Sequence, residues 1–158
     1  MKAILYLSIA TVLLFVGCKK SSTASPASYW ILKGNTYKPT YVDFQLDELN
    51  GDASNSNFIE IGFLTTPAKS GTYAVYYDSI YLLNTYPNLR CAISVGVGVP
   101  NPTPGHTDNY YVATGRDGDS VVLTIAPDGK ATAVFNNIQM RDSAGNLSIL
   151  SGKLVSSN

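Results

Sequence analysis

Residues 120–138 read SVVLTIAPDGKATAVFNNI. Val121, Leu123 and Ile125 recur at every second position, which places them on one face of an extended strand. Pro127-Asp128-Gly129-Lys130 follows. Proline presets one turn dihedral and glycine accepts a left-handed one, so this run predicts a tight reversal. The chain then returns from Ala131 to Ile138 with mixed faces, because Val134 opposes Ala133 and Phe135. Strand, turn and returning strand make an antiparallel hairpin, and the same pattern recurs on both sides of it.

Toward the C-terminus, Asp142–Asn146 (DSAGN) predicts another turn and Leu147–Val155 a last strand, in which Leu150 and Leu154 flank Gly152. Toward the N-terminus, Tyr29–Leu32 predicts a short strand ended by a turn at Gly34-Asn35. Tyr37–Leu46 alternates, with Val42, Phe44 and Leu46 on one face and Tyr41, Asp43 and Gln45 on the other. Asn50–Asn57 (NGDASNSN) reads as a loop. Phe58–Leu64 follows, with Ile59, Ile61 and Phe63 opposite Glu60. Thr72–Tyr77, Cys91–Val97 and Tyr110–Thr114 are further strands, Ser79–Tyr86 is a strand or a wandering edge, and Gly96 suggests a bulge or bend. No segment carries an apolar stripe at helical spacing. About 8–10 strands at regular intervals predict an all-β fold, an antiparallel β-sandwich or small β-barrel.

The N-terminal segment differs from the rest. Lys2 is the only charge before residue 19, and Ile4–Val16 is mostly apolar. A bilayer-spanning helix needs roughly 20 apolar residues. This stretch of about 14 has the length of a signal-peptide core. Its close, Phe15-Val16-Gly17-Cys18, resembles the lipobox of bacterial lipoproteins. That resemblance implies cleavage before Cys18, a diacylglycerol on its thiol and acylation of the new amine. Phe15 stands where leucine is commonest in that family. Several acyl chains hold a protein on a membrane durably, whereas one holds it marginally. The expected organisation is a signal peptide over 1–17, a lipidated cysteine and flexible tether over 18–28, and a single all-β domain over 29–158. The tether, Ser21–Ser28 (SSTASPAS), is small and polar. The expected location is the cell envelope, lipid-anchored at the outer membrane and facing the periplasm, with surface exposure left open. Lys19 and Lys20 are unlike the acidic export patch of some surface lipoproteins.

Without residues 1–17 the chain has ten Lys/Arg and eleven Asp/Glu. The basic residues are scattered, which argues against nucleic acid as a partner. With Cys18 committed to lipid, Cys91 has no thiol to pair with. It is in phase with Ile93 and Val95 and reads as a core thiol. His106, the only histidine, lies in the Pro-rich loop 99–109 (VPNPTPGHTDN), which is either a recognition loop or simply a long connection. There is no Gly-x-Ser-x-Gly, no HExxH, no CxxC and no phosphate-cradling glycine loop. Asp43 and Glu60 are a carboxylate pair only if their strands are brought together. Asp117-Gly118-Asp119 is too sparse in oxygens for a dedicated calcium loop and reads as a solvated turn. No catalytic residue, metal or cofactor is expected.

Tyrosine is the distinctive residue, with ten after the signal segment. Its ring gives flat apolar contact and its hydroxyl a polar handle, which suits a protein or sugar surface, although tyrosine is also a good strand former. Candidate binding residues are Trp30, Tyr41, Tyr73, Tyr77, Tyr81 and Tyr110, four of which (Tyr73, Tyr77, Tyr81, Tyr110) would line a groove.

Taken whole, the chain resembles the small lipoproteins of Bacteroidota, many of unknown function. The resemblance rests on the Cys18 signal, the short tether, the opening SYWILKGNTYK (28–38) and the ending DSAGNLSILSGKLV (142–155). It implies an envelope location and an all-β fold, and no catalytic site. The expected function is a non-catalytic envelope module binding a protein or glycan. The alternatives are a structural or assembly lipoprotein and a lipocalin-like barrel holding a ligand in its interior.

Overall fold

The structure is a computed structural model and describes residues 27–77, 89–98 and 109–157. The signal segment, Cys18, nearly all of the tether, the 79–86 segment with Tyr81, and His106 lie outside the described residues. Among the described residues no helix is long and apolar enough to cross a membrane.

The fold is all-β. Its strands are β1 (Tyr29–Leu32), β2 (Asn35–Tyr37), β3 (Pro39–Gln45), β4 (Glu48–Ala53), β5 (Asn57–Phe63), β6 (Gly71–Val75), β7 (Arg90–Gly96), β8 (Tyr110–Ala113), β9 (Ser120–Ile125), β10 (Ala131–Asp142) and β11 (Leu147–Val155). They form one sheet in the order β2-β1-β11-β10-β9-β6-β7-β5-β4-β3, and β8 pairs with both β10 and β7. Among the described residues all pairs are antiparallel except β6 with β7, so the purely antiparallel expectation needs that correction. The sheet curls back on itself. Ser157 N, just past β11, donates to Val42 O on β3 at 2.8 Å. Inside, the Cα of Gly51 on β4 looks onto Leu154 of β11 and Trp30 of β1.

Alternation places the core as read for β5, β7 and β9: Ile59, Ile61, Phe63, Cys91, Ile93, Val95, Val121 and Leu123 are all buried. The interior is completed by large rings. Trp30 stacks on Tyr37 with centroids 5.4 Å apart, and Phe63 meets Tyr73 edge-on at 4.7 Å. Such aromatic pairs add to the stabilisation that burial alone gives.

Three local readings are corrected. The loop expected over Asn50–Asn57 is in its first half strand β4, which pairs with both β3 and β5. Leu46 does not share the inner face with Val42 and Phe44. It lies with Asp47 in the two-residue turn from β3 to β4, at φ 51° and 72% exposed. The mixed faces of the 131–138 strand have a single cause. A bulge between Phe135 and Ile138 resets the inward parity, and the strand runs on to Asp142 with Ile138 and Met140 buried.

That bulge is also where β10 changes neighbour. Its first half pairs with β9 and its last residues with β8. Asp119 ties the junction together. Its carboxylate accepts from Arg116 Nη2 at 2.6 Å, Arg116 Nε at 3.0 Å and the backbone N of Gln139 at 2.8 Å, while its own carbonyl accepts from Val75 N at 2.9 Å. Asp119 is buried, so this acidic residue of the "RDGD" turn is a structural strut and not a solvated side chain.

Candidate functional site

The strand register assembles a polar outer face on β3, β4, β5, β7 and β8. Three rungs cross it. The first runs Tyr41–Asp52–Phe58–Gly96–Tyr110, the second Asp43–Asn50–Glu60–Ser94, and the third Gln45–Glu48–Gly62–Ala92. Residues two apart on a strand share a face, so the three rungs lie side by side on the sheet surface.

The first rung is an aromatic ledge. Tyr41 is half exposed. The Phe58 ring lies over Gly96, so close that a β-carbon there would overlap it at 2.1 Å. Phe58 in turn tilts against Tyr110, with centroids 6.3 Å apart. Gly96 is thus a seat for an aromatic ring, and the expected bend follows it at Val97-Gly98, where Gly98 takes φ 64°. Tyr41 and Phe58 stand on alternate strands, whose backbones are roughly 10 Å apart, while Phe58 and Tyr110 lean together across Gly96.

The second and third rungs carry the hydrogen-bonding groups. Gln45 Nε2 donates to Asp43 Oδ2 at 2.5 Å, and Tyr41 Oη approaches Asp43 Oδ1 at 3.4 Å, which joins the ledge to the polar rung. Glu60 has Glu48 as its diagonal neighbour on β4. Burial first, then the hydrogen bond and charge of Glu48, push the Glu60 carboxyl up to about 7. Asp43 and Glu60 do share a rung, but β4 stands between their strands, and the carboxyl that meets Glu60 is Glu48.

The aromatic candidates read from the sequence divide. Tyr41 and Tyr110 come together on this face. Trp30 and Tyr73 are corrected: both rings are wholly buried, and Tyr73 spends its hydroxyl on Lys69, donating to its carbonyl at 2.8 Å and accepting from its N at 2.9 Å. A ring without exposed surface has no face to offer a partner. Tyr77 is half exposed but lies apart, under the Arg141 guanidinium at 4.9 Å. The groove expected from Tyr73, Tyr77, Tyr81 and Tyr110 thus loses Tyr73 to the core, and Tyr81 lies outside the described residues. Phe58, Glu48 and Asn50 were not singled out by sequence. The parity of β5 pointed Phe58 outward, and that was the one available signal.

Cys91 is buried on β7, and burial pushes its thiol up to about 12, so it packs as a small apolar side chain. Among the described residues no three His, Cys, Asp or Glu side chains gather where a metal ion could be held. The chain matches no family model, no curated protein and no solved structure.

Proposed function

We propose that this chain is a small envelope lipoprotein of the Bacteroidota type, anchored through Cys18, whose outer face on β3–β5, β7 and β8 binds a glycan without cleaving it. The observation that carries the glycan reading is the adjacency of two rungs: an aromatic ledge of Tyr41, Phe58 and Tyr110 beside a polar row of Asp43, Asn50, Glu60 and Ser94. An aromatic ring offers its apolar face to the C–H face of a sugar. Carboxylate, amide and hydroxyl groups exchange hydrogen bonds with the sugar's hydroxyls. A protein partner fits this face less well, because the centres of protein–protein interfaces are depleted of Asp and Glu. The anchor rests on the Phe15-Val16-Gly17-Cys18 stretch and on the short polar linker that follows it.

The reading is tested in intact host cells by crosslinking the wild-type chain and a Cys18→Ala variant, then identifying what each carries by mass spectrometry. The expected result is a diacylglyceryl adduct on Cys18, loss of membrane fractionation in the variant, and saccharide covalently trapped on β3–β5 peptides. Membrane retention by the variant would contradict the anchor. Exclusive capture of a protein on those strands would contradict the glycan assignment.

A further inference from the structure

The outer surface is electrically divided. Strands β3, β4 and β5 carry Asp43, Glu48, Asp52 and Glu60 and no Lys or Arg, whereas β1, β2, β9 and β11 carry Lys153 and no Asp or Glu. One continuous rung shows the gradient: Asp43–Asn50–Glu60–Ser94–Val112–Arg141–Leu147, crossing from β3 to β11. Its basic end is also its apolar end. On the outer face of β1, β9 and β11, Tyr29, Ile31, Val122, Leu147 and Ile149 are 37–60% exposed, and Tyr29, Lys153, Val134 and Val122 form a single rung. Lys33, which pairs with Asp142 at 3.9 Å, and Lys130, which shares its turn with Asp128, stand at the two ends of this face, so among the described residues its unopposed positive charge is Lys153, with Arg141 beside the face.

We infer that this basic and apolar face of β1, β9 and β11 rests on an anionic lipid surface, leaving the acidic, aromatic face turned away from it. This rests on the proposed anchor at Cys18. The tether makes the geometry. Nine residue steps separate Cys18 from Ala27, which at about 3.4 Å each reach roughly 30 Å when fully extended and nearer 17 Å when relaxed. A domain of this size has a radius of gyration of about 14 Å, comparable to the relaxed tether, so the tether keeps it close to the bilayer. The chain enters the fold at Tyr29, on this same face. Ser28 fixes that entry by exchanging hydrogen bonds with the backbone of Val155 at the end of β11. Exposed Tyr, Ile and Leu beside Lys and Arg is the composition that binds the headgroup layer of acidic bilayers. The charge gradient disfavours the opposite orientation, which would press Asp43, Glu48 and Asp52 onto a negative surface.

The test uses the full chain reconstituted into vesicles of phosphatidylcholine and phosphatidylglycerol containing a diazirine-bearing phosphatidylglycerol. After irradiation, lipid adducts are mapped by peptide mass spectrometry, and the mass at Cys18 is read in the same digest. Adducts on β1 and β11 peptides are expected to exceed those on β3–β5 by several-fold. Lys153→Glu and Ile149→Glu, both exposed or half-exposed outer positions, are expected to remove most of that excess. Equal labelling of the two faces, or an excess on β3–β5, would overturn the inference even with a lipidated Cys18. Selective labelling with an unmodified Cys18 would support the surface and sink the anchor, so the two failures are distinct. High salt, which shortens the screening length to about 3 Å at 1 M, is expected to weaken the preference for anionic over neutral vesicles.

Discussion

Glu60 on β5 and Glu48 on β4 are diagonal neighbours on the outer face of the sheet, and burial beside that second carboxyl keeps the proton on Glu60 up to about pH 7. A carboxyl that meets a second carboxyl in a half-buried place stays neutral because ionisation would strand charge beside charge. The pair stands in the middle of the three rungs, between the aromatic ledge and the β3–β4 turn.

A pH dependence follows. The unfolded Glu60 titrates near its ordinary value of 4.5 and the folded one near 7. Between those values the unfolded chain has lost a proton that the folded chain keeps. Stability therefore falls as pH rises from about 4.5 to about 7 and levels off above that. Glu60→Gln is expected to flatten this slope and to raise the melting temperature at pH 8 relative to wild type. Melting curves from pH 4.5 to 8 decide it, and parallel curves for the two proteins would refute the assignment.

Asp119 is the next test. Replacing it by Ala leaves the backbone N of Gln139 without its acceptor, and Arg116 with only the Asn137 carbonyl, at the point where β10 changes neighbour. The Arg116 side chain is 37% exposed and its guanidinium can turn to water, so the cost is mainly that of the unsatisfied backbone N, on the order of 2 kcal/mol. Urea unfolding should show that loss as a lower midpoint with an unchanged slope. A change below roughly 0.5 kcal/mol, the usual range for surface substitutions, would mean that the carboxylate is not a strut.

Leu46 offers the opposite sign. It is held at φ 51° in a two-residue turn with its side chain in water, so it stores backbone strain without burying apolar area. Leu46→Gly is expected to stabilise the protein by about 1 kcal/mol, because glycine accepts that dihedral freely. A chemical denaturation series reads the effect directly, and destabilisation would show that Leu46 makes a contact worth more than its strain.

Much of this fold was legible because apolar residues alternate along β5, β7 and β9 and because Pro127–Lys130 forces a reversal. Strand β4 was hidden by its own packing. Its inward positions are Leu49 and Gly51, and a β-carbon at Gly51 would press on Ile59 at 3.0 Å and Leu154 at 3.3 Å. The glycine that lets the two sides of the sheet approach is the residue that erases the alternation and makes the segment read as a loop. With β4 partly lost, Glu48 and Asn50 were lost to the site as well. The burial of Trp30 was illegible for another reason. Tyr29-Trp30-Ile31-Leu32 is apolar at every position, so period-two reading cannot choose its inner face. Tyr73 fails similarly, since tyrosine suits a core or a surface and only the partner for its hydroxyl decides between them.

Gly96 connects packing to recognition. A larger residue would evict the Phe58 ring from its seat and break the aromatic ledge while leaving the inner face of β7 intact. Gly96→Val should weaken saccharide binding as much as Phe58→Ala does. Affinity measured on both variants checks this, and normal binding by Gly96→Val would detach the ledge from the function.

The most direct test of the glycan-binding face is a saccharide array followed by calorimetry, with wild type and Tyr41→Ala side by side. Tyr41 is half exposed at one end of the ledge, so its removal should leave the stability within about 0.5 kcal/mol of wild type. Wild type is expected to retain a defined set of glycans, and Tyr41→Ala to lose roughly tenfold in affinity, the equivalent of about 1.4 kcal/mol. Undiminished binding by the variant, or a wild-type chain that retains no saccharide, would contradict the account.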